Sequence, residues 1–288
     1  MKVKVEGGND KLTITIIGAG GTAGSFIADR LLKGNYNVLL CEKGEGVTRL
    51  RKMGFEPSRV EDAVPISDVI IMAVPDDKIG EVSRIIVPMM KKDAVMILLD
   101  AAAAYIGDVS LRSDCTFVIV HPCHPQLFQE QETPEAYRDF FGGVAKQDIV
   151  MALVQGKEEK LKVAEKICRE VFAPVINCYR LSVNQIAVLE PIASEIVIGA
   201  ASYLMRESFN EVVRSGVPED AARSFLLGHI RILLAILFGE SSHKISRAAE
   251  SAIKYGCDRI LKPDWREIFN REEMKNLIRK ILYSSSLQ

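Results

Sequence analysis

At 288 residues, with 48% hydrophobic and 26% charged residues, the chain is long enough for two domains with separate cores and has an ordinary globular composition. A formal net charge of −1 gives no electrostatic reason to expect nucleic acid or an anionic membrane as partner. The N-terminal MKVKVEGGNDK lacks the apolar core of a signal peptide, and six cysteines without CxxC pairing, mostly in apolar runs, fit buried reduced thiols in a cytoplasmic protein.

Thr13-Ile14-Thr15-Ile16-Ile17 is β-branched and short, as a buried strand is. The glycine-rich turn Gly18 to Gly24 follows at once, and Ser25 to Lys33 then reads as a helix with Phe26, Ile27, Leu31 and Leu32 available for its inner face. Strand, glycine turn and helix in that order are the context of a dinucleotide fingerprint, whose glycines let the backbone approach a pyrophosphate at the helix N-terminus. Two frames are open: Gly18-x-Gly20-x-x-Ala23 and the longer Gly18-x-x-Gly21-x-x-Gly24. A second strand, Asn37 to Leu40, ends at Cys41-Glu42, and Glu42 stands about where an acid takes the adenosine ribose hydroxyls. No Arg adjoins it for a 2′-phosphate, so the expected cofactor is NAD rather than NADP. Cofactor contacts are expected from Gly18, Gly20, Gly21, Thr22, Ala23, Gly24 and Glu42; a nucleotide-free turn with a surface Glu is the competing reading.

A short helix near Val47 to Met53 and a loop through Pro57 precede the apolar strand Val69 to Val74, which ends at Pro75-Asp76. Ile79 to Met90 has helical period, with Ile79, Val82, Ile85, Ile86 and Met89 inward. Ala94 to Leu99 is the next strand, ending at Asp100, and a small-residue segment, Ala101 to Gly107, follows. Thr116 to Val120 ends at His121-Pro122-Cys123-His124-Pro125; Phe128 to Gly143 is an irregular excursion. Asp148 to Val154 reads as a strand, Glu158 to Val171 as a helix and Val175 to Tyr179 as a last strand. This alternation predicts an α/β fold with a doubly wound, mainly parallel sheet, whose ligand-bearing edge carries Gly18, Glu42, Val74, Pro75, Asp76, Asp100 and His121.

From Leu181 only helices are expected: Val183 to Val213, Pro218 to Phe238, His243 to Tyr255 and Trp265 to Leu282, with a polar tail at Ser284 to Ser286. The predicted organisation is therefore a nucleotide-binding domain over 1–180 and a helical substrate and dimerisation domain over 181–288. Gln185 to Met205 is nearly as long as a membrane span, but Glu190, Pro191 and Glu195 interrupt it, and Phe225 to Phe238 carries His229 and Arg231. Both read as helices buried in a bundle or subunit interface rather than in a membrane.

A histidine at a strand end facing the cofactor is suited to take a substrate hydroxyl's proton, because imidazole titrates near neutral pH. His121 and His124 are the candidates, each with the alternative of a ring bonded to loop backbone. Glu190 and Ser194 are four apart and share a face of an α-helix, whereas α-helical spacing turns Glu195 well away from Glu190. Acids in the apolar run Ile186 to Ala201 are costly unless bonded or paired, which makes Glu190 and Glu195 site candidates or partners of ion pairs with another helix or subunit. His229 has the same two readings. His121-x-Cys123-His124 is not a known zinc spacing and nothing fixes Glu190, Glu195 and His229 around Mg²⁺, so no required metal is expected.

In order along the chain, Gly18 to Gly24, Val74 to Asp76, Leu99 to Ala103, His121 to Phe128, Gly142 to Gln147, Ala187 to Glu195 and Asp264-Trp265-Arg266-Glu267 resemble one group of the 6-phosphogluconate dehydrogenase-like superfamily. These phosphogluconate dehydrogenase (decarboxylating)-like oxidoreductases include D-apionate oxidoisomerase; the resemblance spans nearly the full length, and HPCHP is its most specific motif. It implies a Rossmann domain, a helical C-terminal domain that builds a homodimer, and NAD(P)-dependent oxidation of a hydroxy acid. A His-Pro at this strand end is catalytic in prephenate dehydrogenases of the superfamily, which favours His121. The catalytic Lys, with Asn four residues on, of 6-phosphogluconate and β-hydroxyacid dehydrogenases has no counterpart here; Glu190 and Ser194 stand at those places. The expected function is hydride transfer from a sugar acid or other small hydroxy acid to NAD, with coupled isomerisation of the apionate type. His121, Glu190 and Ser194 would be catalytic and His124, Glu195 and His229 would hold substrate. A decarboxylating 3-hydroxyacid dehydrogenase is the alternative within the class, and a non-catalytic nucleotide-binding regulatory protein the alternative outside it.

Overall fold

The computed structural model describes residues 11–283; the N-terminal residues 1–10, read above for a signal peptide's apolar core, and the polar tail Ser284 to Ser286 lie outside the described residues. β1 (Thr13–Ile17), α1 (Thr22–Leu32) and β2 (Asn37–Cys41) form the first βαβ unit, and α2 (Glu45–Lys52) and α3 (Val60–Ala63) lead to β3 (Val69–Met72). Then come α4 (Asp76–Ile86), β4 (Val95–Leu98), α5 (Ala102–Tyr105) and β5 (Thr116–Pro122). A long connection leads to β6 (Gln147–Gln155), α6 (Glu158–Val171), β7 (Val175–Arg180) and the short α7 (Val183–Ala187). All seven strands join one sheet in the order β2-β1-β3-β4-β5-β6-β7. β1 to β5 are parallel, β6 runs antiparallel to β5, and β7 is parallel to β6.

The apolar runs explain this arrangement. Every residue of β3 and β4 is buried, as parallel strands covered on both faces must be. α1 buries Gly24, Ile27, Ala28 and Leu31. Leu32, expected inward, lies outside, because the helix starts at Thr22 and Gly24 itself packs on the strand end. Ile85, also expected inward, is exposed, and Pro88 ends the regular α-helix so that Val87–Met89 is a 3₁₀ turn. Cys41, Cys115 and Cys168 are buried and Cys178 half-buried, but Cys123 and Cys257 are exposed; the expectation of buried thiols fails for those two.

The described chain divides into two compact units, residues 11–187 with 278–283, and residues 188–277. The second begins with the π-helical segment Val188–Ile198 and continues through α8 (Gly199–Arg214), α9 (Glu219–Leu237) and α10 (Arg247–Ile260). A 3₁₀ stretch, Trp265–Phe269, and α11 (Arg271–Tyr283) complete the chain, α11 carrying it back into the first unit. The single helix expected over Val183 to Val213 is thus three pieces. Pro191 is the physical cause: without an N–H, and with a ring that crowds the carbonyl of residue 187, it cannot continue an α-helical ladder. The helix expected from His243 starts instead at Arg247, where the Ser246 hydroxyl accepts the Ala249 N–H at 3.3 Å.

Candidate active site

The chain order reverses between β1 and β3, so a crevice opens at the carboxyl ends of these strands. There lies a cleft of about 360 Å³, bounded by Ile17 and Gly18 after β1, Cys41 to Lys43 after β2, and Ala73 to Pro75 after β3. Gly18 has φ +87°, and a Cβ on it would overlap the Ala73 carbonyl oxygen. Gly24, in the first turn of α1, lies so close that a Cβ would overlap the Gly18 carbonyl oxygen. Gly21 caps the helix with extended backbone and no side-chain bond. Gly18 and Gly24, common to the longer frame, therefore bear the close strand–helix packing, whereas Gly21 has room and Gly20 is closed in by the Gly46 carbonyl. Thr22, Ala23 and Gly24 are helical rather than part of the turn, and the N-terminus of α1 is directed into the crevice by the sharp turn at Gly18.

Gly20 belongs to a second interlock. Its N–H donates to Glu42 Oε2 at 2.6 Å, the Lys43 N–H donates to Glu42 Oε1 at 2.9 Å, and Arg49 Nε donates to the Gly20 carbonyl at 2.8 Å. A Cβ on Gly46 would overlap the Glu42 side chain. Gly46 thus leaves room for the carboxylate, and α2 brings Arg49 across to the glycine turn. Neither residue has a sequence signal beyond a glycine and an arginine in a polar helix. Glu61 joins the same wall; burial first, then the Glu61 and Glu42 carboxylates, push the Cys41 thiol up to about 12. The cleft thus carries two acids, Glu42 and Glu61, together with the cations Lys43, Arg49 and Lys78. Val74 is half-buried and Pro75 exposed; Asp76 sits in the first turn of α4 rather than beyond a strand end.

Farther along the same edge, β5 extends to Pro122 and so includes His121. Its Nδ1 lies 2.7 Å from the Leu99 carbonyl oxygen. A carbonyl only accepts, so Nδ1 carries the hydrogen and Nε2 of the neutral ring is the acceptor nitrogen, as a base requires. The Nδ1 of His124 meets the Phe141 carbonyl at 3.0 Å, and the two histidine rings stand edge-on with centroids 6.3 Å apart. Both rings are thus bonded to backbone, and in His121 that bond also sets the tautomer a proton acceptor needs.

The remaining sequence candidates lie in the helical unit. Glu190 is half-buried while Ser194 and Glu195 are exposed. In a π-helical segment hydrogen bonds run from i to i+5, so Glu195 stands about one turn from Glu190. This corrects the expectation that the two acids point apart, which assumed α-helical spacing. His229 is exposed on α9, its Nδ1 donating to the Phe225 carbonyl at 2.8 Å and its ring stacked on Phe225 at 4.0 Å. Among the described residues no group of three or more His, Cys, Asp or Glu side chains is placed to hold a metal.

Doubly wound sheet, glycine turn and acid-closed crevice define a dinucleotide-dependent oxidoreductase of Rossmann type with a helical C-terminal part. The chain belongs to the phosphogluconate dehydrogenase (decarboxylating)-like family, whose C-terminal model matches residues 129–282. The NADPH-binding domain model of acetohydroxy acid isomeroreductase matches residues 9–137. The chain is 43% identical over 274 residues to a D-apionate oxidoisomerase from Cupriavidus necator, covering 94% of this chain and 99% of that one. It is 39% identical to one from Blautia hydrogenotrophica, covering 96% and 99%. A crystal structure from Cupriavidus necator, described as a semialdehyde dehydrogenase NAD-binding protein in complex with calcium and NAD, superimposes with a TM-score of 0.90 at 43% identity, over 94% of this chain and 99% of that one.

Proposed function

We propose that the protein is an NAD-dependent oxidoisomerase of a branched sugar acid, with D-apionate as the substrate to test first. The observation that carries the chemistry is the hydrogen bond from His121 Nδ1 to the Leu99 carbonyl, which sets the tautomer whose Nε2 can take a proton, at a strand end farther along the sheet edge from the cleft. The dinucleotide fits this chain's residues: the close packing at Gly18 and Gly24 brings a helix N-terminus up to the strand end, and Glu42 is preset by the Gly20 and Lys43 N–H groups to meet ribose hydroxyls. Bound NAD supplies the hydride acceptor. His121 takes the hydroxyl proton of the carbinol that loses hydride, so one C–H and one O–H bond become a carbonyl.

The isomerisation then shifts one carbon substituent from the neighbouring hydroxyl-bearing carbon to the new carbonyl carbon. The neighbouring hydroxyl loses its proton as its carbon becomes the new ketone, and the former ketone oxygen gains one. We assign this proton traffic to Glu190 and Glu195, and contacts to the substrate's hydroxyls and carboxylate to Ser194, His124 and His229. The acetohydroxy acid isomeroreductase model over the first half supports the reading, since that name joins isomerisation to a redox step. A thermal-shift series tests it: NAD should raise the melting midpoint by mass action, and D-apionate should raise it further only with nucleotide present. No shift with any nucleotide would remove the reading.

The acid at the end of β2 gives a sharper expectation. Glu42→Gln keeps an oxygen for the Gly20 N–H but removes the charge. NAD should then bind about tenfold more weakly, a loss of about 1.4 kcal/mol, with NADP gaining relative to NAD. Titration of the variant with both nucleotides checks it; an unchanged NAD to NADP ratio would exclude Glu42 as the discriminating group.

We further propose a homodimer located in the cytoplasm; the helical unit supports the dimer. Among its described residues only Pro191, Ile192, Ala222 and Met274 are buried, far fewer than an independent bundle needs. Val183–Arg214 is helical throughout and long and apolar enough to cross a membrane, but Glu190, Pro191 and Glu195 break its apolar surface. Leu204, Phe225, Leu237 and Phe238 are exposed on these helices, an apolar surface suited to a second copy. Phe225→Arg should shift the protein to monomer in sedimentation analysis; an unchanged mass would exclude α9 from the interface.

A further inference from the structure

In the connection between β5 and β6, where Gln131 also exchanges two bonds with the Lys146 backbone, one carboxylate gathers the turn beyond Phe141. Asp139 Oδ1 accepts the Gly142 N–H at 3.0 Å, and Oδ2 accepts those of Val144 at 2.8 Å and Ala145 at 3.0 Å. Burial pushes this carboxyl up, but the backbone N–H groups of Ala145, Val144, Gly142 and Phe141 outweigh it and hold it below the usual carboxylate range. Gly142 and Gly143, at φ +95° and +137°, adopt backbone that a side chain would strain. From the far side the Arg30 guanidinium donates to the Gly143 carbonyl and lies 5.3 Å above the Phe26 ring. The turn is therefore fixed at both ends.

What this turn presents is the main chain of Phe141. Its carbonyl accepts from His124 Nδ1, and its ring stands edge-on to the His124 imidazole at 5.9 Å. His124 is held at φ +59°, a left-handed backbone that non-glycine residues adopt rarely and that clusters at functional sites. The His124 ring in turn stands edge-on to His121, interplanar angle 88°. Phe141 is 81% exposed, so burial of its own ring does not account for this construction.

We propose that Asp139 is a positioning residue: through the turn it ties, the Phe141 carbonyl holds His124 as the Nδ1–H tautomer, with its ring edge set against His121. The proposal rests on the reading of His121 as base, but its test is read without turnover. The chain has four histidines, so the ring-nitrogen NMR spectrum of the full-length, histidine-labelled protein is assignable by substitution. The wild type should show His124 protonated at Nδ1. In Asp139→Asn, which keeps one oxygen and the shape, and more so in Asp139→Ala, His124 should move toward the Nε2–H form that free imidazole favours. Turnover should fall about 10- to 100-fold, with KM for NAD unchanged, as expected for a displaced catalytic neighbour. Phe141→Ala keeps the carbonyl and should leave the tautomer in place. His124 still locked as Nδ1–H in both folded Asp139 variants would overturn the proposal. A changed tautomer with unchanged turnover would equally overturn it, whereas full turnover in His121→Asn would remove the base assignment and leave the tautomer result standing.

Discussion

His121→Asn should lower turnover by about 10²- to 10⁴-fold while leaving NAD affinity within about twofold, the range expected when a general base is lost from an intact site. The asparagine side-chain amide can still donate to the Leu99 carbonyl, which lies 2.7 Å from the present Nδ1, so the end of β5 keeps its anchor. The cleft at the ends of β1, β2 and β3, which we propose as the nucleotide site, is lined by Gly18, Glu42 and Val74 and not by His121. What the variant lacks is a nitrogen that can take a proton at the position of Nε2. The effect therefore falls on kcat, and single-turnover measurements should show the loss in the hydride step itself. Unchanged turnover would remove His121 from the mechanism and leave Glu190 as the base to test.

Gly24→Ala should destabilise the nucleotide domain strongly. The added carbon would overlap the Gly18 carbonyl oxygen and come within 2.8 Å of the Ala19 Cα. Gly18 cannot retreat, since its φ is +87° and its N–H, like that of Ala19, is bonded to the Cys41 carbonyl, at 3.0 and 3.2 Å. Overpacking of this kind costs about 2–3 kcal/mol, equivalent to a fall of roughly 5–10 °C in melting midpoint for a domain of this size. The helix N-terminus would also leave the crevice, so stabilisation by NAD should disappear. Gly21→Ala is the matched control: its Cβ meets the Gly18 carbonyl at 3.3 Å with nothing closer, so the midpoint should fall much less. Equal effects at the two positions would mean that the packing of α1 on β1 does not depend on Gly24.

These two sites show what the sequence discloses and what it withholds. Strand runs such as Val69–Met72 are legible because a buried parallel strand has little use for polar side chains. The glycine turn is legible as a turn, but which glycines are tightly packed shows only in backbone proximity, which places Gly24 on the Gly18 carbonyl and Gly20 on that of Gly46. His121 is legible as a histidine at a strand end; that Leu99 sets its tautomer depends on the β4–β5 pairing. The helical part misleads in register. Apolar periodicity treats Val183 to Val213 as one α-helix, while Pro191 widens it into π-helical turns and changes which residue faces Glu190. Arg49 and Asp139 escape altogether, because surface-type charged residues acquire their roles through backbone partners 29 residues away at Gly20, and through the glycine turn beyond Phe141.

Oxidation coupled to a carbon shift has a product stoichiometry that no other reading shares. The purified protein is incubated with NAD and D-apionate, and NADH, released CO₂ and the carbon skeleton of the product are measured together. One NADH for each rearranged keto acid, with no CO₂, is the predicted result. CO₂ released in step with NADH would establish a decarboxylating dehydrogenase instead, and tight NADH binding without any turnover across a sugar-acid panel would contradict the enzymatic account.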